Sequence, residues 1–350
     1  MVVQKRDVQG GIAAVIERYY GSRLEDDYEM IYVEGYRDGG KLAKLVQFLK
    51  GYIRYTTVLY REEPDLIHIH SSFGPSFVRK SFYVNKAYRM GIPVINHIHG
   101  ADFDEFYEKA GKLKRRRIHK VYNRCNMLIA LSEEWRSKLA KIVPKEKICT
   151  IENYSVPQSR ELINSLEESR YHAKQVLFLG EIGARKGAYD LPAIVQAVKR
   201  RVPEVRFVIC GSGEIRQVKE QLSDETVGSV AFPGWVRGDA KDRYLKESSL
   251  FLLPSYQEGM PMSILDAMGY GLPIVSTYVG GIPKLVSEEN GILCEPGDAA
   301  GIADAIIKVL EDRDLQHKMG LGSLEYVEVQ YSLEMHLQKL EAVYEITMSR

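Results

Sequence analysis

The chain has 350 residues, 45% of them hydrophobic and 27% charged, with 48 Lys and Arg against 47 Asp and Glu. That length exceeds what one hydrophobic core usually fills, so two domains are expected. A formal net charge of +1 excludes a global pull toward nucleic acid or an anionic membrane, and any such contact has to be local.

Short β-rich runs alternate with helical patterns. Residues 1–4 leave room for only a short first strand, which points to a truncated chain or a misassigned start. Helices are predicted over 11–20, 41–61, 77–90, 105–124 and 133–143, with strands over 28–34, 65–71, 93–99, 127–132 and 148–153. A polar stretch over 156–173 reads as a linker. The alternation then restarts, with strands over 175–179, 205–210, 229–232, 250–254, 273–276 and 291–294 and a last helix over 332–348. Such alternation indicates parallel βαβ units, hence an α/β protein of two Rossmann-like, doubly wound domains facing a cleft. The expected division is 1–155 for the first domain, 156–173 for the linker, 174–331 for the second domain and 332–350 for a helix returning to the first. Ligands of such sheets sit at the carboxyl ends of the strands.

The strongest signal runs from Glu258 to Asp266, E-G-M-P-M-S-I-L-D. Pro261 suits the first turn of a helix, whose start leaves backbone N–H groups for an anion. Two carboxylates flanking such a site suit sugar hydroxyls better than phosphate, which together points to a nucleotide sugar. After the strand at 175–179, L-G-E-I-G-A-R-K-G places Arg185 and Lys186 where a diphosphate would need them. Alone, R-K-G would read as a solvated basic turn. Gly211 in V-I-C-G-S-G-E, the V-G-G-I-P turn and Gly10-Gly11 are further strand-to-glycine turns, each by itself more often a turn than a site.

His97 and His99 share one face of a strand, as do His68 and His70. A metal reading of H-x-H lacks a third ligand nearby in sequence. His99, before Gly100 at the strand end, can meet a sugar hydroxyl, while His97 reads as structural. Asp102-Phe103-Asp104 looks like the metal-binding D-x-D of other sugar-transferring enzymes, but Asp104 also fits the start of the next helix. Between Lys112 and Lys120, K-L-K-R-R-R-I-H-K is the one dense basic cluster, with Phe106, Ala110, Leu113, Ile118, Val121 and Tyr122 as a rough apolar side. Two readings stand: a helix lying on an anionic membrane surface, or a solvated face. No nucleic-acid motif accompanies it.

Four well-separated cysteines, Cys125, Cys149, Cys210 and Cys294, read as reduced thiols rather than a disulfide frame or zinc site. No apolar run approaches the roughly 18 residues that span a bilayer, and M-V-V-Q-K-R-D lacks a signal-peptide core. A cytoplasmic protein is expected, peripheral at the inner face of the cell membrane if the basic helix docks there.

Taken in order, Gly10-Gly11, His99-Gly100, G-E-I-G-A-R-K-G, G-S-G-E, F-P-G-W-V, the stretch from Glu258 to Asp266 and V-G-G-I-P resemble the glycosyltransferase family 4 enzymes, which have the GT-B fold. The resemblance covers nearly the whole chain. It implies retaining transfer of a sugar from a nucleotide-diphosphate donor, a UDP-sugar by default, without metal or other cofactor. On the family's pattern Glu258 would hold the donor sugar, Asp266 the ribose and Lys186 the diphosphate, helped by backbone around Met262 and Ser263. His99 would approach the sugar, Trp235 and Val236 would border the base, and Gly11 would sit near the diphosphate or acceptor. The family's second glutamate is here Asp266. Where the family usually has Arg after the glycine of its G-R-x-x-x-x-K-G loop, this chain has Glu181, expected to turn away or pair with a cation, with Arg185 as the substitute. The acceptor, a glycan or lipid-linked molecule of surface polysaccharide assembly, would meet the loops at 71–76 and 101–106, with Ser72 and Asp102 as candidates. The alternatives are a nucleotide-sugar epimerase or hydrolase on the same fold, and a non-catalytic nucleotide-sugar-binding partner subunit.

Overall fold

A computed structural model describes residues 1–100 and 103–349. The chain forms two compact units, one of Met1–Asn153 with Leu333–Arg350 and one of Tyr154–Ser332. Asp102 lies outside the described residues.

The first unit contains β1 (Val2–Val3), β2 (Val33–Glu34), β3 (Ile67–Ser71), β4 (Val94–Ile98), β5 (Met127–Ala130) and β6 (Ile148–Thr150). They form one sheet in the order β2-β1-β3-β4-β5-β6, and every pair is parallel. β1 is two residues long, yet it pairs with both β2 and β3. Backbone bonds from Val33 N–H to the Met1 carbonyl, 2.8 Å, and from Gly35 N–H to the Val3 carbonyl, 2.9 Å, hold it in place. The strand expected over 28–34 shrinks to Val33–Glu34, and Arg23–Asp27 before it forms a short helix tied by Arg23 to Glu334 and Glu341. The helix expected over 105–124 is broken as well. A π-helical turn covers Asp104–Glu108, and Gly111 then caps a separate helix, Lys112–Asn123.

The second unit contains β7 (Gln175–Leu179), β8 (Arg206–Cys210), β9 (Val230–Gly234), β10 (Leu250–Leu253), β11 (Ile274–Thr277) and β12 (Gly291–Cys294), again all parallel. Their order, β12-β11-β10-β7-β8-β9, is the doubly wound arrangement whose direction reverses between the first and fourth strands, here β7 and β10. Covered on both faces, β7, β8 and β10 read as continuous apolar runs, V-L-F-L, F-V-I-C and L-F-L-L, and those residues are buried.

The segment over 156–173 is not a linker. Arg160–Ala173 is a helix of the second unit, capped by the Ser159 hydroxyl accepting from Leu162 N–H at 3.2 Å. Its fully buried residues are Ile163 and Arg170, with Leu162, Leu166 and Tyr171 half-buried. The Arg170 guanidinium donates to the carbonyls of Leu245, Lys246, Tyr270 and Gly271 at 2.9–3.2 Å, and burial lowers its pKa to about 10. Because one of its two fully buried positions is an arginine, its hydrophobic pattern in the sequence is weak.

The last helix, Leu333–Met348, belongs to the first unit. It covers four imidazoles standing on one sheet face. His70 pairs with His97 across β3 and β4, His68 stands two residues before His70, and His99 follows β4. The Tyr344 hydroxyl bonds His68 Nδ1 at 2.6 Å, His336 Nε2 meets the Tyr19 hydroxyl at 2.6 Å, and Lys339 pairs with Glu152 at 2.7 Å. Burial, with neighbouring histidines, holds His68, His70 and His97 well below the ordinary imidazole pKa. Burial and then His336 push His99 down to about 3, and burial pushes His336 down to about 4.

The native pKa values lie below the unfolded value of about 6.5, so the unfolded chain takes up protons that the native unit refuses once the pH falls below that point. The first unit is therefore expected to lose stability as the pH drops below about 6.5, by at most roughly 1 kcal/mol per pH unit for each such histidine. Trp135, buried in this unit, reports the transition by fluorescence in a Trp235→Phe background. Stability unchanged between neutral pH and about pH 4.5 would contradict it.

Candidate functional site

In the second unit the candidate residues gather at the carboxyl ends of β7 and β10, on either side of the strand-order reversal. After β7 a short turn, Ala184–Lys186, presents two cations. After β10 the chain passes through Ser255 to Glu258, which is 6% exposed. Lys186 Nζ donates to Glu258 Oε1 at 2.5 Å, and Ser255 Oγ donates to the same oxygen at 2.7 Å. Burial lowers the Lys186 pKa, and the Glu258 charge opposes that shift. An ammonium has three N–H donors, so Lys186 can hold Glu258 and still offer protons to an anion. Arg185 reaches Glu258 Oε2 at 3.9 Å, the Gln257 carbonyl at 3.2 Å and Glu181 at 3.4 Å. The Glu181 side chain is 69% exposed, so it stands toward solvent with Arg185 as its partner.

Pro261 precedes the helix Met262–Gly269 as its cap residue rather than forming its first turn. No side chain caps this start, and its first turn carries no acid. Met262 is buried and Ser263 half-buried there, at the partial positive end of the helix. Asp266, one turn on, is held by Lys241 at 2.9 Å.

The glycine turns brace this loop. A Cβ on Gly280, at φ +53°, would lie 1.9 Å from the Glu258 carbonyl oxygen, and one on Gly281 would lie 2.1 Å from that of Gly259. The Gly281 N–H donates to the Gly259 carbonyl at 2.8 Å, so V-G-G-I-P spends this donor on the Glu258 loop rather than on a phosphate. Gly187, at φ +70°, packs as closely on the Pro254 carbonyl. Gly211 lies against Gly180, and its N–H donates to the Gly234 carbonyl at 2.8 Å, where β9 ends and Trp235 and Val236 begin. Trp235 is 40% exposed and Val236 half-buried.

In the first unit, His99 follows β4, with its N–H bonded to the Ser71 carbonyl at 2.8 Å and its Nε2 2.9 Å from His70 Nδ1. Gly100 lets this turn approach Phe73 and Ser72, since a Cβ there would fall 2.5 Å from the Phe73 ring and 3.0 Å from Ser72 Oγ. Ser72 N–H in turn donates to Ser76 Oγ at 3.1 Å. Gly11 opens the helix Gly11–Glu17 with open space around it.

Lys112, Lys114, Arg116, Arg117 and Lys120 are exposed, but Ile118, Val121, Tyr122 and Phe106 lie in the core. The apolar side expected of this helix is therefore spent inward, apart from Leu113. His68, His70 and His97 have donor atoms within 4.8 Å of one another, a set of ligands a metal ion could use. Sequence spacing hid that trio because strand register, not proximity along the chain, brings His97 to His70. Ser255 and Lys241 likewise belong to the site without a sequence signal. Ser255 carries no motif of its own, and Lys241 reaches Asp266 only through tertiary packing of the helix Asp239–Glu247.

Residues 173–312 match the family described as Glycosyl transferases group 1, and residues 14–154 match Glycosyltransferase Family 4. A 2-deoxystreptamine N-acetyl-D-glucosaminyltransferase of Niallia circulans is 32% identical over 153 residues, 43% of this chain and 39% of that protein. The chain thus aligns with well under half of that relative's length. The UDP-Gal:alpha-D-GlcNAc-diphosphoundecaprenol alpha-1,3-galactosyltransferase of Escherichia coli is 29% identical over 289 residues, 77% of this chain and 73% of that protein. Among solved structures, Anabaena HepE in complex with UDP-glucose superimposes with a TM-score of 0.69 at 18% identity, over 98% of this chain and 91% of that one.

The close approach of Gly280 to Glu258 can be tested directly. Gly280→Ala is expected to cost the second unit about 1–3 kcal/mol in urea denaturation, through positive-φ strain and the clash. Gly228→Ala, at a position with open space around it, should be near neutral. Equal stability of the two variants would remove the bracing role.

Proposed function

Because the chain belongs to the family 4 glycosyltransferases, with two six-stranded parallel sheets of the GT-B type, we propose that it transfers a sugar from a UDP-sugar to a glycan or lipid-linked acceptor, with retention and without a metal. The observation that carries this reading is the buried Lys186–Glu258 pair at the reversal of strand order, beside an uncapped helix start. Departure of UDP builds negative charge on the leaving phosphate oxygen and positive charge on the anomeric carbon. Lys186 and the helix start would answer the first. Glu258, oriented by Lys186 and Ser255, would accept hydroxyls of the donor sugar.

One oxygen of Asp266 is engaged by Lys241, and the carboxylate would bind the ribose through the other. Arg185 would add charge at the diphosphate, Gly211 would shape the neighbouring turn, and Trp235 with Val236 would flank the base. His99 and Gly11 are the first unit's proposed contributions to donor binding. Burial keeps the imidazole neutral at pH 7, so it would act by hydrogen bonding rather than as a fixed charge. Ser72 and Asp102 are the proposed acceptor residues.

Retention would follow from front-face substitution. No described carboxylate beside Glu258 is placed as a separate nucleophile, so the leaving phosphate would take the acceptor's proton as the new glycosidic bond forms. Metal independence rests on the donor set. The two acids of the site are each paired with a lysine, and among the described residues no group of three or more ligating side chains surrounds them. No helix of the described residues is long and apolar enough to cross a membrane. A cytoplasmic enzyme working at the membrane face fits the lipid-linked acceptor of the Escherichia coli relative.

A thermal-shift series with UDP-, GDP- and ADP-sugars tests the donor, since a ligand that binds the folded state raises its apparent stability. UDP-sugars are expected to give the largest shift, and a preference for another base would overturn that choice. Lys186→Ala should lower turnover by about 10²–10³ while the fold is retained by circular dichroism. Near-normal turnover in that variant would remove its assigned role. Efficient consumption of donor without acceptor would favour a hydrolase or epimerase instead.

A further inference from the structure

The helix Lys41–Arg61 is apolar on both sides. Inward it buries Gly51, Tyr55 and Leu59. Outward, at about 100° per residue, Leu42, Leu45, Val46, Leu49, Ile53 and Tyr60 fall within one arc of about 100°. These six side chains are between 41% and 74% exposed. The stripe from residue 42 to residue 60 is about 27 Å long at the rise of an α-helix. Lys50, Arg54 and Arg61 border it on one side and Lys41 on the other.

The neighbouring helix Pro75–Arg89 widens the surface. Its Phe82, 47% exposed, has its ring centroid 5.6 Å from Phe48 and 6.4 Å from Tyr52, and Lys86 donates to the Tyr60 hydroxyl at 3.0 Å. The helix Lys112–Asn123 joins it through Arg117, which donates to Ser81 Oγ at 3.2 Å. These three helices carry five, four and six Lys or Arg respectively, of which Lys80 is buried against the Val2 carbonyl, and no Asp or Glu.

A contiguous exposed apolar stripe of this size marks an interaction surface. We propose that this face docks the protein on an anionic lipid surface. Leu45, Leu49, Ile53 and Phe82 enter the boundary between headgroups and acyl chains, and the flanking cations meet lipid phosphates. Charge selects this occupant. A second copy placed symmetrically on the face would set basic rows against basic rows, whereas an anionic bilayer complements both the apolar stripe and its borders. The basic helix that stands out in the sequence supplies charge to this surface, and the Lys41–Arg61 helix supplies its anchors. The surface lies on the first unit and does not rest on the donor assignments in the second.

Flotation of the purified full chain with liposomes tests the proposal. Binding is expected to vesicles that mix phosphatidylcholine with phosphatidylglycerol, and not to phosphatidylcholine alone. Leu49→Ser with Ile53→Ser should weaken partition by about tenfold or more, and Lys112→Glu with Arg116→Glu should also weaken it. Both pairs change solvent-facing side chains, so circular dichroism should be unchanged. Failure of the wild type to float with anionic vesicles, or flotation of the serine variant at the wild-type level, would overturn the proposal. So would a wild-type dimer that the serine pair converts to monomer by sedimentation, because a second copy would then be the occupant.

Discussion

The second unit is organised around one ion pair, Lys186 with Glu258. Taking two charges out of water costs more than their attraction usually returns, so such a pair contributes little to stability by itself and leaves a large deficit if one partner is lost. What it fixes is position. Lys186 arrives from the turn after β7 and Glu258 from the loop after β10, so the pair ties together the strands between which the winding direction changes. The surrounding backbone is fitted to it. Ser255 supplies a second donor to the same carboxylate oxygen, and Gly280, Gly281 and Gly187 allow main chain to approach where any side chain would collide. The carboxylate is thus oriented before a ligand arrives, which is the condition for fixed charge to be useful in catalysis.

The first unit solves a different problem on the same topology. Its sheet also places functional candidates after the strands, but the interior behind His99 is packed with imidazoles rather than held by ion pairs. Four histidines from two adjacent strands and one from the last helix are kept neutral by burial, and several rings stack, His68 on His97 at an interplanar angle of 9°. Neutral imidazole offers one donor and one acceptor nitrogen. The bond between His70 and His99 therefore couples the tautomer of the half-buried end of the row to its buried part. Charge is excluded here, whereas around Glu258 it is concentrated.

Sequence made the alternation of strands and helices legible because parallel strands covered on both faces are short, continuous apolar runs. The strands at 175–179 and 291–294 lie where their patterns put them. The order of the motifs pointed to the family, and the Glu258 loop and the R-K-G turn were legible as local chemistry. What stayed hidden is what tertiary contact creates. Lys241 and Ser255 are ordinary residues until packing brings them to carboxylates. The helix Arg160–Ala173 is anchored in part by an arginine bound to carbonyls, so part of its buried face reads as polar in the sequence. The opposite error affected Lys112–Asn123, whose apolar residues suggested a lipid-facing side although they pack inward. Periodicity says that a helix has an apolar face, not which partner covers it.

The return of Leu333–Met348 to the first unit gives the chain an order of assembly. Residues 154–332 form an uninterrupted unit that can close as soon as it has left the ribosome. The earlier unit cannot. Its histidine-lined sheet face lacks Tyr344 and His336 until the last helix has been synthesised, so the part made first is finished last. Docking of the final helix is the step that gives His68 its Tyr344 hydroxyl and sets His336 between the Tyr19 hydroxyl and the Glu152 carbonyl.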